Sequence, residues 1–132
     1  MKQQLTVKND LFISNGIEIV FNLNGHFKFY PEDIKLERFL KREDLVNRKD
    51  VAEIGHLQSL LENPIKIPEE FALYINLAAG TILKRKNDLF IPALIHNAFL
   101  DIVALSNRDL EWKIILIRLN SSVSEQERVI TL

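Results

Sequence analysis

The apolar positions of this chain change their period along its length. From Ile17 to Phe29 they alternate: Ile17, Ile19 and Phe21 stand against Glu18 and Asn22, and Phe27 and Phe29 flank Lys28. A period of two predicts half-buried strands, and Asn24-Gly25 between the two runs predicts a hairpin. A three-residue loop, Leu23-Asn24-Gly25, sets Phe21 opposite Phe27 and Ile19 opposite Phe29, with Gly25 in the left-handed position of a bulge. Gln3–Val7 and Leu11–Ser14 read as further short strands.

After Pro31 the spacing turns helical. Glu32–Arg42 is charged and weakly amphipathic. Asp50–Glu62 is clearer: Asp50 is placed to cap it, Glu53 completes a capping-box-like pair, and Val51, Ile54, Leu57 and Leu61 form one stripe that ends at Asn63-Pro64. Two helices with almost no polar face are then expected, Pro68–Lys86 and Pro92–Leu105, each opened by a proline whose missing N–H is harmless there. The polar hinge Lys84-Arg85-Lys86-Asn87-Asp88 separates them. In the first helix Phe71, Ile75, Ala78 and Ile82 form the main stripe, Leu73 and Leu77 a second one, and Ala78-Ala79-Gly80 admits another backbone. In the second, Leu94, Ile95, Ala98, Phe99, Ile102 and Leu105 share one face, and Leu100 and Val103 share the other with His96. Ser106 to Asp109 reads as the cap of a helix over Leu110–Leu119, although its isoleucines also suit a buried strand. Ser124–Glu127 caps a last short helix, with an edge strand over Arg128–Leu132 as the alternative.

Strands first and helices after is the signature of an α+β fold. The expectation is a small N-terminal antiparallel sheet, about residues 3–30, followed by a helical layer of four to five helices. The whole forms a single domain over residues 1–132, β-rich in 1–30 and helical in 31–132.

Composition narrows the function. Of the 132 residues 47% are hydrophobic, ample for a core, and the net charge of −1 exerts no general pull on nucleic acid or anionic lipid. The absence of cysteine removes disulfides and thiolate chemistry and favours a reducing, cytoplasmic setting. No signal peptide is apparent, and no apolar run is long enough and free enough of polar residues to span a membrane.

Little catalytic chemistry is visible. His26, His56 and His96 are far apart, and Glu53-Ile54-Gly55-His56 supplies Glu-x-x-His spacing once, where a carboxylate di-metal bundle needs it twice. His56 points away from the stripe of its own helix and is expected as a solvated surface residue. Glu53, His56 and Ser59 are then turns of an ordinary polar face rather than a catalytic set. The four glycines are isolated, so no phosphate-cradling loop is present. No catalytic residue, metal or cofactor is expected.

A helix that is apolar all round must be buried all round. In so small a chain that condition points to a partner. The leading expectation is therefore a non-enzymatic interaction or accessory protein, self-associating as a homodimer, with Leu73, Leu77, His96, Leu100 and Val103 at the interface. A second is a small-ligand binder or enzyme with a pocket between sheet and helices, its polar groups Tyr74, Asn76, His96, Asn97 and Asp101. A third is nucleic-acid binding through the anion contacts Lys84, Arg85 and Lys86. It is the weakest, because the helix after them lacks the polar face that reads base edges.

Overall fold

The structure is a computed structural model that describes residues 16–25, 31–96 and 112–132. These residues form a seven-stranded mixed sheet with one α-helix packed on it. The strands are β1 (Ile17–Asn22), β2 (Lys35–Glu37), β3 (Ile75–Leu77), β4 (Thr81–Arg85), β5 (Asp88–His96), β6 (Trp112–Arg118) and β7 (Glu127–Thr131), and the helix is α1 (Ile54–Glu62). Short 3-10 turns cover Pro31–Asp33, Arg42–Leu45, Pro64–Lys66 and Glu69–Leu73.

β5 organises the sheet. Residues 90–96 pair antiparallel with 118–112 of β6 along one edge, while β4 and β3 lie end to end along the other, with Leu83 opposite Phe90 and Leu77 opposite Ala93. β1 adds antiparallel to β4, β7 adds parallel to β3, and β2 closes the far side on β7. Ala78–Gly80 breaks β3 from β4. Pro92 faces that break: its carbonyl accepts the Ala78 N–H at 2.9 Å. The N–H that proline lacks would point to the same side, so a proline stands in a central strand without orphaning an acceptor.

The helical layer expected over residues 31–132 is thus overturned. Glu32–Arg42 is a 3-10 turn and then β2. Pro68–Lys86 is a 3-10 turn followed by β3 and β4. The described part of Pro92–Leu105 belongs to β5. The hinge between the two supposed helices is a hairpin turn in which Arg85 pairs with Asp88, leaving Lys86 and Asn87 as the loop. The physical reason lies in the apolar pattern itself: a strand buried on both faces is apolar at every position, as a fully buried helix is. The chain covers both faces from within. On one, Leu57 and Leu60 of α1 pack with Phe71, Ala78, Leu94 and Ile130, and Ile54 packs with Ile17, Leu83 and Phe90. On the other, Phe39, Leu45 and Val51 pack against Leu77, Ile91, Ala93 and Val129.

Three further expectations change. The Leu110–Leu119 helix is β6 where it is described, the strand its isoleucines suited. Glu127–Thr131 is not an edge strand; it lies between β3 and β2. β1 forms as expected but pairs with β4, and Gly25 has a φ of 72°. The strands expected at Gln3–Val7 and Leu11–Ser14 and the hairpin partner Phe27–Phe29 lie outside the described residues. Among the described residues no helix is long and apolar enough to cross a membrane.

Candidate functional site

Two features stand out: an apolar cleft on the sheet face opposite α1, and a buried polar corner at the N-terminus of α1.

The cleft begins with a bulge. On a regular strand Ile17, Ile19 and Phe21 would share one face. In β1 the register shifts between Ile19 and Phe21. Ile19 therefore packs with Ile17 and Ile54 on the helix side, while Phe21 lines the cleft on the other. Bulges at sheet edges commonly re-aim a side chain in this way. Ile82, Ile91 and the Ala79–Gly80 break form the floor, and Leu23 and Leu119 close the ends. The opposite wall is the continuous run Leu45-Val46-Asn47-Arg48-Lys49, turned by Asn47 at a φ of 72°, a left-handed conformation that asparagine tolerates better than most residues. The cavity holds about 300 Å³. Phe21 and Val46 stand at its mouth, 46% and 60% exposed.

Two arginines brace the cleft wall. Arg48 bonds Asp50 through Nε (2.9 Å) and Nη2 (2.6 Å) and reaches Glu37 of β2 through Nη1 (2.6 Å). Its hydrogen bonds to Asp50 and Glu37 raise its pKa, and the same contact to Arg48 holds the Asp50 carboxyl below the usual range. Asp50 is thus committed to Arg48, and the helix it was expected to cap starts four residues later. Arg42 is buried and ion-paired with buried Glu127 at the start of β7, and its Nη2 donates to Ser121 Oγ at 2.9 Å. Glu127 also accepts the Ser124 N–H at 3.2 Å. Ser124 and Glu127 therefore bond across a loop that leads into a strand, not across a helix cap.

No known protein family, curated protein or solved structure matches the chain.

At the corner, Glu53 is the N-cap residue of α1 and is wholly buried. Its two carboxylate oxygens accept the backbone N–H groups of Asn24 (3.0 Å) and Gly25 (2.9 Å), and its own N–H donates to His56 Nδ1 at 2.9 Å. Thr81 Oγ1 accepts the Ile54 N–H at 2.8 Å and donates to Asn22 Oδ1 at 2.6 Å. The Gly80 N–H donates to the Ala52 carbonyl, and the Gly80 carbonyl accepts from Leu23, both at 2.8 Å. The expected polar face of Glu53, His56 and Ser59 is therefore corrected: the first two are buried and Ser59 is half-buried. Burial pushes the His56 imidazole down to about 4. A neutral ring accepting at Nδ1 carries its proton on Nε2. Glu53 ties the start of the helix to the β1 loop, Ala52 and Ile54 tie it to Gly80 and Thr81 at the sheet break, and His56 caps the Glu53 N–H. Among the described residues no three His, Asp or Glu side chains converge as metal ligands.

The described residues among those expected to form sites are scattered. Leu73 is 64% exposed, whereas Leu77 is sealed in the core, so the two do not form one ridge. His96 is half-buried edge-on against Trp112, ring centroids 5.0 Å apart. Tyr74 lies under the Arg128 guanidinium, 4.2 Å from its ring centroid. Asn76 is buried, and its amide donates to the Phe71 and Leu94 carbonyls at 2.8 and 2.9 Å. None of these lines the cleft. Lys84, Arg85 and Lys86 sit on and beside the β4–β5 turn, with Arg85 over the Phe90 ring at 5.8 Å. Asn97, Leu100, Asp101 and Val103 lie outside the described residues. The cleft residues were missed because five separate segments contribute them.

Proposed function

We propose that the chain is a binding protein, not an enzyme, whose cleft takes a small apolar ligand. The observation that carries this reading is the bulge in β1, which turns Phe21 away from the core of its own strand to wall a cleft facing Ile82, Ile91 and the 45–49 turn. Ligand pockets are concave and mostly apolar with a few placed polar groups, and about 300 Å³ is at the small end of their range. The buried Glu53–His56 corner supports binding over catalysis, since both side chains are engaged with backbone groups.

The test is a fluorescence titration with uncharged N-phenylnaphthylamine. Saturable one-to-one binding is expected, lost in Val46→Asp at the cleft mouth and kept in Ile65→Asp, the same charge placed at a still more exposed apolar site away from the cleft. Binding that is absent in the parent, or unchanged in Val46→Asp, overturns the reading.

A further inference from the structure

We infer that the ligand of this cleft is an amphipathic monoanion, an alkyl or aryl carboxylate whose apolar body fills the cleft and whose head group is held by Lys49. The inference rests on the cleft being a ligand site.

Among the described residues, the charged ones that line the cleft are Arg42, Arg48 and Lys49, and no carboxylate lines it. Two of these cations are already neutralised from behind. Glu127 takes Arg42, and Glu37 and Asp50 take Arg48, none of the three acids belonging to the lining. Lys49 has no ion pair or hydrogen bond among the described residues. It is also exposed, so its ammonium is within reach of a ligand at the mouth. An ammonium is a compact point charge with three rotatable donors, suited to a carboxylate without demanding the bidentate geometry of an arginine.

Its neighbours sharpen the preference. Val46 and Phe21 at the mouth are apolar and displace water, and a charge pair beside low-dielectric walls interacts more strongly than one in open solvent. A neutral apolar ligand would gain nothing from Lys49, whose ammonium would stay hydrated. A cationic one would face it directly. The size of the cavity sets the length: about 300 Å³ suits one medium alkyl chain or a small aromatic body, not a two-chain lipid.

The experiment displaces N-phenylnaphthylamine from the full chain with decanoate, decanol and decylammonium. Decanoate should displace about three- to fivefold more tightly than decanol, as an exposed ion pair allows, and decylammonium should be the weakest. Added salt should erode the advantage of decanoate but leave decanol unchanged. Lys49→Gln should equalise decanoate and decanol without changing the affinity for decanol, and Lys49→Glu should reverse the order of the two ions. Decanol binding as tightly as decanoate to the parent, or a preference that survives Lys49→Gln, overturns the charge assignment while leaving the cleft intact as an apolar site. Failure of the parent to bind the neutral probe overturns the cleft itself.

Discussion

Gly80 and Glu53 meet where no side chain fits: a Cβ on Gly80 would stand 2.8 Å from Glu53 Cγ and 2.9 Å from the Ala52 carbonyl oxygen. The Glu53 side chain cannot swing aside, because both its oxygens are tied to Asn24 and Gly25. The Ala52 carbonyl cannot retreat either, since it accepts the Gly80 N–H. Gly80→Ala should therefore destabilise the protein by about 1–3 kcal/mol, the cost of overpacking, despite the backbone entropy that alanine removes from the unfolded chain. Urea denaturation checks this. A midpoint equal to or above that of the parent would show that the corner relaxes.

This contact also shows how much of the fold was legible. Ala78-Ala79-Gly80 announced a close backbone approach, and the approach is there, but it joins a break between strands to the start of α1 rather than two helices. Helix α1 was readable because Ile54, Leu57 and Leu61 recur at helical spacing, although Val51, the first residue of that stripe, lies before the helix. Its start was not, since Asp50 serves Arg48 instead. The described part of the Pro68–Leu105 stretch was wrongly given a helical period, because Leu77, Leu83, Leu94 and Ile95 satisfy either geometry when both faces are covered. The parallel pairing of Ile75–Leu77 with Glu127–Val129 joins distant segments and has no local signature. The cleft inherits that difficulty: Phe21 reaches it through a bulge, and Val46 and Lys49 through a left-handed asparagine.

The β4–β5 turn carries a correctable strain. Lys86 has a φ of 57° in a two-residue loop, a conformation that costs an L-residue about 1–2 kcal/mol and glycine nearly nothing. Lys86→Gly should stabilise the protein by about 0.5–1 kcal/mol once the greater freedom of glycine in the unfolded chain is set against that relief. Thermal unfolding at low protein concentration measures it. A fall in the midpoint would mean that Lys86 contributes more through its charge than its backbone loses.

The Arg42–Glu127 pair joins the cleft wall to β7 inside the protein. Arg42→Met leaves the Glu127 carboxylate buried without its counter-ion and should cost about 3–5 kcal/mol. The double variant Arg42→Met, Glu127→Met removes both charges and should recover most of that loss, because an apolar replacement of a buried pair is often close to neutral. A double-mutant cycle in urea gives the coupling directly. Two losses that simply add would show that the two side chains do not depend on each other.

His56 makes stability depend on acid in a defined direction. Burial lowers its pKa from 6.5 to about 4 in the folded protein, while the unfolded chain keeps the ordinary value. Between those two values the unfolded chain binds a proton that the folded one refuses, so stability is full above pH 6.5 and falls as the pH drops toward 4. At about 1.36 kcal/mol per unit, the whole fall is about 3 kcal/mol. Acid acts on the protein at more than one side chain, so a variant is needed to isolate the imidazole. His56→Gln provides it: glutamine at the third helical position can still accept the N–H of the capping residue, and it does not titrate. Urea unfolding at a series of pH values should show a steep decline between pH 6.5 and 4 in the parent and a shallower one in His56→Gln. Parallel curves for the two proteins would mean that the imidazole is protonated equally in both states, and hence that the ring is open to water.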